Sequence, residues 1–124
     1  MVVQREASAP ERLVLEQLDR LGLVEGVDYS FQSSRLGGRV EKGGLVIDFL
    51  FTNPPDLAIS ILGVFWHYEQ GGQVQGRDLI MREVMAGQGV TVIFIDEDDL
   101  NDDAAFYVRE ALRFVDHSRM TRGL

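Results

Sequence analysis

Two residues in this chain sit where an apolar core would not ask for them. Asp48 stands inside the run Leu45-Val-Ile-Asp48-Phe-Leu-Phe51. An ionised carboxylate in such surroundings is costly unless a cation or hydrogen-bond donors meet it. A hard divalent cation such as Mg²⁺ prefers carboxylate oxygen, so Asp48 reads as a metal ligand or, alternatively, as an Asp near a strand end bonded to a neighbouring turn. The second residue is His67. The apolar run Leu57-Ala-Ile-Ser-Ile-Leu62 ends at Gly63 and continues into Val64-Phe-Trp66-His67. An imidazole titrates near neutrality and can serve as a general base or donate to a phosphate oxygen. It could equally be a polar residue leaving a strand, and Trp66 could be core or a surface on which a base stacks.

The elements that must position these residues follow from periodicity. Ser8-Ala-Pro-Glu11 has the form of a capping box, and Val14, Leu18 and Leu21 give an apolar stripe, so a helix is expected over about 10–21 with Gly22 as its stop. Strands are expected over 27–32, 45–51, 57–62 and 90–95, with a glycine- and cation-rich loop or hairpin tip over 33–44. A helix is expected over about 77–86, with Ile80, Met81, Val84 and Met85 on one side. A last helix is expected over about 102–116, with Ala105, Val108, Leu112 and Val115 as its stripe. A helical crossover between 57–62 and 90–95 requires those two strands to run parallel. The resulting order is α-β-β-β-α-β-α, an α/β class with a mixed sheet and helices on its faces.

The 124 residues, 45% hydrophobic, fit a single domain, with a core over about 8–116 and flexible termini at 1–7 and 118–124. There is no cysteine, which excludes disulfides and thiolate metal sites. No apolar run approaches the ~20 residues that span a bilayer, and the first residues are too polar for a signal peptide. A soluble, cytoplasmic protein with no membrane partner is therefore expected. The net charge of −8 argues against a dedicated binder of polyanions, but the charge is uneven. Arg35, Arg39 and Lys42 share one loop, Arg77 opens a helix beside Asp78, and acids crowd 96–103. Arg77 could face a phosphate or pair locally with Asp78. The acidic run lacks the spacing of a calcium loop and is expected to solubilise the sheet edge and cap the last helix.

Taken together, Glu11, Asp48, Gly63-Val-Phe-Trp-His67, Arg77-Asp78 and Gly89-Val-Thr-Val-Ile-Phe-Ile-Asp-Glu97 occur in the order and rough spacing of very-short-patch-repair endonucleases. The chain resembles that group, part of the PD-(D/E)XK nuclease superfamily, over about residues 8–98. The resemblance implies a restriction-endonuclease-like αβββαβ core with a mixed four-stranded sheet, followed here by the C-terminal helix. It implies Mg²⁺ on Asp48 and on the backbone carbonyl of Ile61, with Glu11 and His67 assisting through water. It also implies DNA as substrate, and an endonuclease of this kind would be expected to grip it near Arg35, Arg39, Lys42, Trp66 and Arg77.

The site departs from the family pattern. Most of the superfamily carries E-x-K on the strand matching 57–62, where this chain has Ser60 and Leu62. Patch-repair enzymes have a Thr-His pair before the glycine, where this chain has Ile61-Leu62. Glu16 or Glu69 could supply a second carboxylate by migrating into the site. Two functions stay open on these residues: a Mg²⁺-dependent endonuclease, and a nuclease fold without catalysis. The second would act as an interaction or structural subunit of a larger nucleoprotein or viral assembly, with a protein partner.

Overall fold

The computed structural model of the chain describes residues 7–31, 39–40, 46–63 and 72–122. Its first helix, α1 (Ala9–Arg20), begins where the sequence places a cap. Ser8 Oγ accepts the Glu11 N–H at 3.3 Å, and Glu11 Oε1 accepts the Ser8 N–H at 2.8 Å, so two otherwise orphaned donors are satisfied reciprocally. The helix ends as expected at Gly22, whose φ of 83° a side chain would disfavour.

The strands are β1 (Tyr29–Phe31), β2 (Arg39–Val40), β3 (Val46–Ile47), β4 (Phe49–Phe51), β5 (Leu57–Leu62) and β6 (Thr91–Asp96). The helices that follow α1 are α2 (Gly72–Gly87), α3 (Glu97–Leu112) and α4 (Arg119–Arg122). The main sheet has the order β1-β4-β5-β6, and β2 pairs with β3 in a separate two-stranded ribbon. β1, β4 and β5 are mutually antiparallel neighbours, while β5 and β6 run parallel from Leu57↔Thr91 to Leu62↔Asp96. This is the α/β architecture expected from the sequence, with the αβββαβ order, the mixed four-stranded sheet and a C-terminal helix.

Alternation along β5 and β6 divides the core into two layers. Leu57, Ile59, Ile93 and Ile95 pack with Val14, Leu15 and Leu18 of α1 and with Leu100, Val108 and Ala111 of α3. Ala58, Leu62, Val92 and Phe94 pack with Met85 of α2 and Met120 of α4. No helix among the described residues is long and apolar enough to cross a membrane.

Several sequence expectations need correction. The apolar run 45–51 is not one strand, because Asp48 separates β3 from β4. α2 starts at Gly72 rather than about 77, so Gly72 and Gly76 are absorbed into helix. Of its expected apolar side, Met85 is buried, but Ile80 is 60% exposed and Val84 is also exposed. α3 gains a first stretch from Glu97, where Glu97, Asp98 and Asp99 suit the positive end of a helix dipole, while its main segment starts near 102 as expected, with Asp103 Oδ1 accepting the Phe106 N–H at 3.1 Å. A non-helical residue, Asp103, kinks it early, and it ends at Leu112, two residues before Phe114 takes a φ of 65°. Val115 therefore lies beyond the helix and is exposed. The tail from 118 is anchored rather than frayed through residue 122: Ser118 and Met120 are buried, and residues 119–122 form α4.

That tail also covers the open side of β6. Asp116 Oδ2 accepts the Phe94 N–H at 2.8 Å, while Asp116 Oδ1 accepts from the Ser118 N–H and hydroxyl. Arg82 of α2 lies 3.7 Å from Asp116 and over the Phe94 ring.

Leu18 is fully buried between α1 and the sheet, so Leu18→Ala should cost about 2–5 kcal/mol in chemical denaturation. Burial, followed by the carboxylates of Glu25, Asp19 and Asp28, pushes the Tyr29 phenol up to about 12. A folded value raised above the ordinary 10.0 means that the fold favours the neutral phenol. Its contribution is complete below the unfolded value and is lost as pH rises through the folded one. Urea midpoints should therefore decline across that window, and Tyr29→Phe should remove part of the decline.

Candidate functional site

Asp48 is only 4% exposed. Its Oδ2 accepts the Ile61 N–H at 2.8 Å, and its own N–H donates to the Ile59 carbonyl at 3.2 Å. The side chain thus stands where a backbone carbonyl of the neighbouring strand would otherwise accept. The break has the signature of a bulge, since Ile47 and Phe49, two residues apart, pack into opposite layers of the core. A strand residue directs its N–H and C=O to the same side, so the Ile61 carbonyl also faces the Asp48 strand.

These groups border a cleft of about 310 Å³ lined by Ser8, Pro10, Glu11, Asp48, Ile61, Gly63 and Glu97. Each residue arrives for a traceable reason. Ser8, Pro10 and Glu11 form the capped start of α1, and Glu11 is 2% exposed. Gly63 directly follows β5, and Glu97 directly follows β6. Because β5 and β6 are parallel with Leu62 opposite Asp96, their C-terminal ends reach the same edge together. That is the edge at which open α/β sheets place ligands.

Glu11, Asp48 and Ile61 are therefore brought to one cleft, as expected. Glu97 joins them, a residue that sequence reasoning had left in a solvated acidic run. The available signal was its position immediately after a buried strand parallel to β5. Glu16 is exposed on α1 and does not line the cleft. Arg39 lies in β2 and Arg77 in α2. Arg35, Lys42, Trp66, His67 and Glu69 lie outside the described residues. Ser60 and Leu62, at the E-x-K places, alternate with Ile61, and Leu62 packs in the α2 layer. The E-x-K places thus point away from the face that Ile61 presents.

A second group of acids lies close by in sequence. Asp96, Asp98 and Asp99 each offer a carboxylate oxygen within 4.8 Å of the others, a geometry that could hold a metal ion. A protein cation already serves part of it. Arg119 donates to both oxygens of Asp98 at 2.9 and 3.2 Å, and its backbone N–H donates to Asp96 Oδ2 at 2.9 Å. Asp96 is fully buried and makes no side-chain cap bond to α3, whereas Asp103 of the same acidic run caps the segment after the kink by accepting the Phe106 N–H. Burial, then repulsion from Asp96 and Asp98, holds the Asp99 carboxyl above its ordinary value.

No family model, curated protein or solved structure matches the chain.

Arg119→Leu removes the bidentate partner of Asp98 and the guanidinium 3.8 Å from Asp96. It should lower stability by about 1–3 kcal/mol in urea denaturation, since the buried Asp96 carboxylate keeps the backbone N–H but loses a neighbouring cation. Arg20→Leu on the exposed side of α1 should stay within about 0.5 kcal/mol of wild type.

Proposed function

We propose that the chain is a Mg²⁺-dependent endodeoxyribonuclease of the very-short-patch-repair type, working at the cleft that Asp48, Ile61, Glu11 and Glu97 line. The observation that carries this reading is the buried Asp48 carboxylate, set at a strand break beside the C-terminal end of β5. The donor types suit the ion, because carboxylates and a backbone carbonyl are the oxygen ligands that hard cations prefer, although among the described residues only Asp96, Asp98 and Asp99 gather three carboxylates within 4.8 Å of one another.

When bound, the cation would neutralise charge on a phosphodiester and make a neighbouring water more acidic. Asp48 and the Ile61 carbonyl would hold it. Glu11 would orient the attacking water, and His67, which follows shortly after Gly63, would take its proton. The water oxygen bonds to phosphorus, the bond to the leaving sugar oxygen breaks, and that oxygen leaves with a proton from solvent. Arg35, Arg39, Lys42 and Arg77 would neutralise flanking phosphates, and Trp66 would stack on a base. A net charge of −8 makes such local cations necessary for any grip on DNA.

A second reading has its own support. Glu11 Oε1 already accepts the Ser8 N–H, so helix capping accounts for that residue without catalysis. In this reading the fold is an interaction or structural subunit of a larger nucleoprotein or viral assembly, since a fold does not dictate its use.

Purified protein with Mg²⁺ or Mn²⁺ should nick supercoiled plasmid. Asp48→Ala, with an unchanged circular dichroism spectrum, should leave the plasmid closed. Plasmid that stays closed at high excess of the wild-type protein, with both metals, would select the non-catalytic reading.

A further inference from the structure

We infer that Glu97 supplies the second carboxylate for the divalent cation, in place of the acid that is missing from β5. This rests on the metal-site reading above and adds a residue that the resemblance does not provide.

Three observations lead to it. First, Glu97 lines the same cleft as Asp48 and Ile61, a cleft of about 310 Å³ with room for an ion and its waters. Second, the parallel register sets Leu62 opposite Asp96, so Glu97 leaves β6 where Gly63 leaves β5, at the end of the strand that carries Ile61. Third, alternation separates Glu97 from the acids next to it in sequence. Ile95 belongs to the α1 layer, and Phe94 to the α2 layer. Continuing that alternation sends Asp96 toward the α2 and α4 side, where its carboxylate accepts the Arg119 N–H. Glu97, the first residue of α3, instead lines the cleft beside Glu11. Neighbouring acids are thus divided between two tasks, one structural and one facing the cleft.

Glu97 need not crowd against Asp48. Mg²⁺ keeps several waters and takes only one or two protein carboxylates, so a carboxylate across the cleft can hold the ion directly or through a bound water.

The test uses Mn²⁺ alone as the probe and the full chain, with bound ion read from loss of the free Mn²⁺ electron paramagnetic resonance signal. Wild type should take up one ion. Asp48→Asn and Glu97→Gln should each weaken uptake by roughly tenfold or more, in the range found when groups around a metal are removed. Glu97→Asp keeps the charge at the helix start on a shorter stem, and should fold and bind with intermediate affinity. Glu16→Gln, on the exposed side of α1, should bind as wild type. If Glu97→Gln and Glu97→Asp bind as wild type while Asp48→Asn does not, Glu97 is no ligand and the metal reading of Asp48 survives. Uptake that depends on Asp98 and Asp99, but not on Glu97, would overturn the inference by placing the ion at the Arg119 cluster. A wild type that takes up no Mn²⁺ would remove both the inference and the reading beneath it.

Discussion

The bond from the Ile61 N–H to the Asp48 carboxylate is the constraint from which the site follows. A β-sheet cannot leave interior donors unpaired without cost. Where the chain bulges at Asp48, a side-chain oxygen does the work of a main-chain carbonyl. The sheet therefore keeps its hydrogen bonding, and the carboxylate is fixed at the end of β5 rather than turned out to water. The same bulge reverses the alternation, which lets Ile47 fill one layer of the core while Phe49 fills the other. Geometry that continues the sheet and geometry that lines the cleft are here the same geometry.

The cleft owes its other walls to elements with independent reasons to exist. α1 begins at Ser8 because the capping box satisfies its first donors, and that brings Glu11 inward. α3 begins directly after β6 because three acids occupy its first turn. Neither start was shaped around Asp48 alone. Both reach it because the parallel pairing of β5 with β6 fixes how far each strand extends.

Much of this could be read before any coordinates. The capping box and the Val14–Leu18 spacing gave α1. The crossover length gave the parallel pair, and the lone carboxylate in an apolar run gave Asp48. The rest depended on contacts that periodicity does not carry. A uniform apolar run hid the strand break, since nothing in Leu45-Val-Ile or Phe-Leu-Phe51 marks a change of face. The expected start near 102 matches the Asp103 cap, but the stretch that precedes it from Glu97 has no apolar stripe to mark it. Of its expected stripe, Val108 is fully buried and Leu112 packs on the core, whereas Ala105 is half-buried and Val115 is exposed beyond the helix end. Arg119 gave no sequence signal of its role, because its partners Asp96 and Asp98 are more than twenty positions away.

The Asp116 contact with Phe94 has a consequence for behaviour in concentrated solution. β6 is a border strand, and a border strand offers unsatisfied donors onto which a neighbouring polypeptide can zip. Here one such donor is quenched from within the same chain, by an anion that Arg82 flanks. An anion at that seam repels the main-chain carbonyls that an incoming strand would need to bring there. Asp116 thus occupies one of the places along the apolar Val92–Ile95 segment at which another strand would have to dock, a site of protection set apart from the cleft at the end of β5.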